Sequence, residues 1–99
     1  MLRITVHDDP ESLTFYLEGR LAGTYAIEME ECLRKTLAAH PNRAVRIDLT
    51  QVTSLDAAGR ALLAASHTQG AKLIAAGCLM KAIVEEITGH TADGPHPAR

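Results

Sequence analysis

Apolar residues in this chain recur at two spacings, and the spacing switches along the sequence. Leu2, Ile4 and Val6 alternate with Arg3 and Thr5, the period of a strand with one apolar face. His7-Asp8-Asp9-Pro10-Glu11-Ser12 interrupts it with polar residues and a proline, which reads as a turn. Leu13, Phe15 and Leu17 then alternate with Thr14, Tyr16 and Glu18, so the first two strands are expected to form an antiparallel hairpin. Gly19 and Gly23 bracket Arg20-Leu21-Ala22, which reads as a connection. Thr24 is expected to cap a helix running to about His40. In it Ala26, Met29, Leu33 and Leu37 fall at helical spacing, with Cys32 beside them. Glu28, Glu30, Glu31, Arg34 and Lys35 line the other side as a solvated face, and their spacing predicts the pairs Glu30–Arg34 and Glu31–Lys35. Pro41 and Asn42 stop the helix, and Val45, Ile47 and Leu49 give a third strand.

The second half is organised around Ile47 to Leu63, which reads as strand, tight loop, helix. Val52 and Leu55 are apolar anchors inside the loop, where Thr53 and Ser54 read as turn residues. Asp56 precedes a run of Ala and Leu, where a short acceptor side chain caps the orphan N–H groups of a helix start. Ala58, Leu62 and Ala65 then share one stripe, with Ala61 nearby, and Gln69-Gly70 ends the helix. Leu73-Ile74-Ala75-Ala76 is a short buried strand, and a helical crossover favours parallel pairing with the strand before it. Gly77 turns the chain. Leu79, Ile83 and Ile87, with Ala82 beside them, predict a third helix that ends at Gly89. The order is ββαβαβα: an α/β, α+β sandwich-like fold with a mixed sheet of about four strands covered by about three helices. Residues 1–89 are expected to form a single domain. The tail, residues 90–99, has almost nothing to bury and reads as disordered.

Composition narrows the function classes. Only 3% of the 99 residues are aromatic while 46% are hydrophobic, so the core must be aliphatic. The formal net charge of −2 offers no basic excess for nucleic acid. Met1 leads straight into Leu2-Arg3-Ile4, which is no signal peptide, and no run approaches the roughly 20 apolar residues of a membrane span. A cytoplasmic protein without membrane insertion is the expectation. Cys32 and Cys78 stand alone on different predicted helices and read as buried free thiols. Ser12, Ser54 and Ser66 lie in no Gly-x-Ser-x-Gly elbow, and the five histidines show no metal-ligand spacing. Phosphate-binding glycine fingerprints are missing too. No enzyme, metal or cofactor is expected. A receiver-type phosphoacceptor site built from Asp8, Asp9 and Asp56 would need a helix after Asp9, where the pattern is a strand's.

The text Asp48-Leu49-Thr50-Gln51-Val52-Thr53-Ser54-Leu55-Asp56-Ala57-Ala58-Gly59 resembles the signature loop of STAS domains, the anti-sigma-factor-antagonist fold. Leu17-Glu18-Gly19 and the stretch Lys72 to Gly89 add to a resemblance that spans roughly residues 2 to 89. It implies a non-enzymatic module that docks a protein partner, a serine-kinase-type anti-sigma factor, through Thr53, Ser54, Asp56, Ala57, Ala58, Gly59 and Arg60. In phosphorylatable members the serine just before the glycine accepts phosphate. Ala58 holds that position here, so the switch is lost at this residue, and Arg60 stands where the family usually has Leu. Other members are subunits of anion transporters or partners of transport ATPases, and the start of the helix at Ala57 leaves a nucleotide or small-ligand sensor as a third reading. The family usually continues with another strand and helix. The sheet edge they would cover is expected to be open to a partner or to a second copy, as a homodimer.

Overall fold

The computed structural model describes residues 1–89. Its element order is β1 (Leu2–Asp8), β2 (Ser12–Leu21), α1 (Thr24–Ala39), β3 (Ala44–Leu55), α2 (Ala57–Thr68), β4 (Lys72–Ile74) and α3 (Cys78–Thr88). The four strands lie in the order β1-β2-β3-β4. β1 runs antiparallel to β2, while β2–β3 and β3–β4 are parallel. This is the mixed sheet with three helices that the hydrophobic spacing predicts. Both crossovers step the same way across the sheet, so right-handed connections place α1 and α2 on one face. That face carries Leu13, Phe15 and Leu17 of β2 with Ile47 and Leu49 of β3, all fully buried. Met29 and Leu33 of α1 and Leu62 and Leu63 of α2 close over them. The other face of β2 shows Tyr16 and Glu18 to solvent, and Arg3 of β1 pairs with Glu18 across it.

Several elements depart from the sequence expectation, each for a local reason. β1 continues through His7 and Asp8, which pair with Thr14 and Leu13, so the turn is shorter than its polar text implies. Arg20-Leu21 is not a connection but the end of β2, and Leu21 is fully buried. Gly19 makes this possible. Its φ is 106°, and a Cβ there would come within 2.3 Å of the Met1 carbonyl oxygen. That oxygen instead accepts the Arg20 N–H at 3.1 Å. Thr24 is the first residue of α1 rather than its cap, a position held by Gly23 without a side-chain bond. On the charged face Arg34 bonds Glu31 at 2.6 Å, one residue closer than the predicted Glu30.

β3 is the largest correction. The stretch from Thr50 to Leu55 is strand, not loop. Its pairing with β2 slips twice, so that Glu18 faces Gln51 and Arg20 faces Ser54. Each slip adds a residue to β3, which is how a β-bulge changes the phase of alternation. Buried positions therefore run Ile47, Leu49, Val52, and a strict period of two is lost. The first bulge is held by Asp48, whose Oδ1 accepts the Thr50 N–H at 2.9 Å and its hydroxyl at 2.6 Å.

The helix stripes also rotate. α2 buries Gly59, Leu62, Leu63 and Ser66, while Ala58, Ala61 and Ala65 face solvent. In α3 it is Met80, Val84 and Ile87 that reach the core, with Ala82 exposed. Cys32 is half-buried and free. The side chains of Cys78 and Leu79, and the tail expected to be disordered, lie outside the described residues. No described helix is long and apolar enough to cross a membrane.

Candidate functional site

In a parallel sheet every helix that follows a strand starts at the strand's carboxyl end. α1 and α2 therefore both begin at the same rim, beyond Leu21 and Leu55, which pair with each other. Asp56 ties the two starts together. Its Oδ1 accepts the Gly59 N–H at 2.9 Å, the expected cap of α2. Its Oδ2 accepts the Gly23 N–H at 2.9 Å, at the start of α1. The bonds from Gly59 and then from Gly23 hold the Asp56 carboxyl below its ordinary pKa, because each N–H favours the charged form. The positive end of α2 is thus met by the chain's own carboxylate.

Gly59 sets how close α2 can come. A Cβ at this position would lie 2.1 Å from the Leu21 carbonyl oxygen and 3.3 Å from Leu55 Cδ2. Only glycine lets the first turn of α2 rest on the ends of β2 and β3. With Gly59 buried and turned inward, Ala57 and Ala58 are turned out and exposed. Thr53 and Ser54 are exposed as well, on the last residues of β3 and not in a turn. Arg60 is half-buried and ion-pairs Glu86 of α3. The expected residues thus gather at one rim: Thr53, Ser54, Ala57 and Ala58 face out, Asp56 and Gly59 hold the frame, and Arg60 engages its own chain.

Two further residues belong to this rim. Gly23 supplies the second N–H to Asp56, and a glycine directly before a predicted helix was a readable sign of a cap. Ile27 of α1 is 59% exposed. It stands off the Ala26-Met29-Leu33 stripe, and that break was the available signal. Between Thr53 and Arg60 there is no histidine, cysteine or lysine. The outward side chains Thr53, Ser54, Ala57 and Ala58 are small and uncharged, and the exposed Asp56 carboxylate beside them is taken up by two backbone N–H groups. Asp8 and Asp9 sit at the opposite end of the sheet, since Asp8 pairs with Leu13 at the start of β2. Eight strand steps, about 26 Å, separate that end from the rim, so the receiver-type arrangement does not form.

Solved proteins share this architecture. An anti-sigma factor antagonist from Mycobacterium paratuberculosis matches with a TM-score of 0.75 at 22% identity, over 90% of this chain and 79% of its own. The anti-sigma factor antagonist SpoIIAA, in its unphosphorylated form, matches with a TM-score of 0.65 at 11% identity, over 84% and 82%. An uncharacterized protein from Shewanella loihica with a SpoIIAA-like fold gives 0.56 at 19%, over 91% and 82%. No protein-family profile and no curated protein matches the sequence. The chain therefore has the anti-sigma-factor-antagonist fold, as the Asp48 to Gly59 text implies.

Proposed function

We propose that this chain is a non-enzymatic docking module that works as an anti-sigma factor antagonist does, binding a serine-kinase-type anti-sigma factor at the rim of residues 53–60. The observation that carries this reading is the Asp56 carboxylate bridging Gly59 and Gly23. It fixes two helix starts against each other and leaves Ala57 and Ala58 exposed between them and the end of β3. A preorganised patch of small side chains suits protein docking, because little ordering entropy is lost on binding. Ala58 occupies the position of the resembled family's phosphoacceptor serine. A phosphate there would add roughly −1.5 to −2 charges at pH 7 and disrupt a packed interface. Without a hydroxyl at Ala58 the docking surface stays competent, and control passes to expression or to the partner.

The test is binding to a purified serine-kinase-type anti-sigma factor from the same cell, with ATP present. The native chain and Ala58→Ser are expected to bind alike before phosphate transfer, and Ala58→Glu to bind at least about 100-fold more weakly, the cost of an unpaired charge in a packed interface. Retention of full affinity by Ala58→Glu would place docking on another face and end this reading.

A further inference from the structure

A concavity lies at the other end of α2, remote from the rim. It is a cleft of about 510 Å³ between the last turn of α2, the outer edge of β4 and the body of α3. That volume is within the range of small-molecule sites. Its walls are Ala71, Leu73, Ala75 and Val84. Ala71 is buried and the other three are half-buried, so they keep apolar surface in the cleft. The cleft exists because β4 ends the described sheet, leaving α3 packed beside an edge that no described strand covers.

The charges at its mouth are unbalanced. The chain has three lysines, and two of them, Lys72 of β4 and Lys81 of α3, line this cleft. Elsewhere the arginines Arg3, Arg34, Arg43 and Arg60 each hold a carboxylate. Lys72 and Lys81 make no ion pair among the described residues. Glu85 lines the same cleft, so two ammonium groups stand against one carboxylate. A single extra positive charge over an aliphatic floor matches one kind of ligand.

We propose that this cleft binds an amphipathic monoanion, a carboxylate carried on an aliphatic chain. The carboxylate sits between Lys72 and Lys81, and the chain lies along Ala71, Leu73, Ala75 and Val84. The site is independent of the docking rim, which lies at the opposite end of α2.

The probe is decanoate, below its micellar concentration, titrated into the full-length ¹⁵N-labelled chain and followed by amide shifts. Decyltrimethylammonium serves as the control, with the same apolar body and the opposite charge. Saturable shifts at Ala71, Leu73, Ala75 and Val84 are expected with decanoate, and binding of the ammonium compound at least about tenfold weaker, the change expected when attraction at the mouth becomes repulsion. In the double variant Lys72→Glu/Lys81→Glu that preference should reverse. Equal binding of the two compounds, shifts confined to other surfaces, or no saturation by about 1 mM, the weak limit of specific affinity, would overturn the proposal. The two ligands are compared on the native chain, so the result stands even if the double variant fails to fold.

Discussion

The two ends of the sheet are each held by one charged side chain, but by different means. At the rim, Asp56 accepts two backbone N–H groups, from Gly59 and Gly23. At the other end, Arg43 in the connection between α1 and β3 ion-pairs Asp8 and donates to the Asp9 carbonyl at 2.7 Å. Arg43 thereby ties the β1–β2 turn to the entry of β3. Asp56 is fastened to main chain that the fold itself places, whereas the Arg43–Asp8 pair depends on two side chains meeting near solvent. A bond to fixed backbone costs less ordering, and exposed ion pairs are weakened by screening. The frame around the candidate docking surface is therefore the more rigidly specified of the two.

The strongest way to break the rim is Gly59→Ala. Its Cβ meets the Leu21 carbonyl oxygen, which is backbone and cannot swing aside. A loss of about 3 kcal/mol in chemical denaturation is expected, the upper part of the overpacking range. A cost below 1 kcal/mol, within the small-change range of exposed positions, would mean that α2 does not rest on Leu21.

Asp56→Ala comes next. It leaves the Gly59 and Gly23 N–H groups without their acceptor, so stability should fall and amide exchange at both should quicken. Asp56→Asn keeps one capping oxygen for Gly59 but puts an NH2, which cannot accept, where Oδ2 met Gly23, so it should recover only the capping share of the loss. If Asn matches the native chain in stability and in Gly23 amide exchange, the second carboxylate oxygen is not the tie between the two helix starts.

Acid titration separates the ends further. Asp56 and Asp8 both have folded pKa values below the ordinary one, the first through backbone N–H bonds and the second through the bond from Arg43. A carboxyl depressed in the folded state contributes stability that is fully present above its unfolded pKa. That contribution is lost as pH falls through the folded pKa. Stability should thus decline below about pH 4, and Asp56→Asn and Asp8→Asn should each remove part of the decline. Added salt should shrink the Asp8 share more than the Asp56 share. Equal sensitivity of the two would erase the distinction drawn here.

The smallest effect is expected from Arg43→Met, which keeps the aliphatic stem and removes the charge. A slight loss of stability should appear without any change at the rim amides, and 1 M salt, where screening reaches about 3 Å, should remove the share that comes from Asp8 but not that of the lost bond to the Asp9 carbonyl. A shift at Ala57 or Ala58 would show that the two ends are coupled.

Much of this architecture was readable in the residue pattern. Leu13-Phe15-Leu17 and Ala26-Met29-Leu33 announced their elements because each keeps one period against one partner. The text from Thr50 to Leu55 misled because two bulges break the period, and a bulge is a property of paired strands, invisible in either one alone. Asp56 as the cap of α2 was legible, since its acceptor lies three residues from its donor. Its second bond, to Gly23, spans 33 residues and was not. Arg60 likewise offered no hint of Glu86, which reaches it from another helix.

The sequence alone determined the order ββαβαβα, the aliphatic core, the cap at Asp56 and the alanine at position 58, because each follows from neighbours a few residues away. Tertiary structure decided the rest. It chose which stripe of α2 turns inward, since Gly59 must meet Leu21. It joined two helix starts through one carboxylate, and it opened a cleft beside β4 with two lysines at its mouth. Those features depend on which distant segments share a boundary, and no local period encodes that.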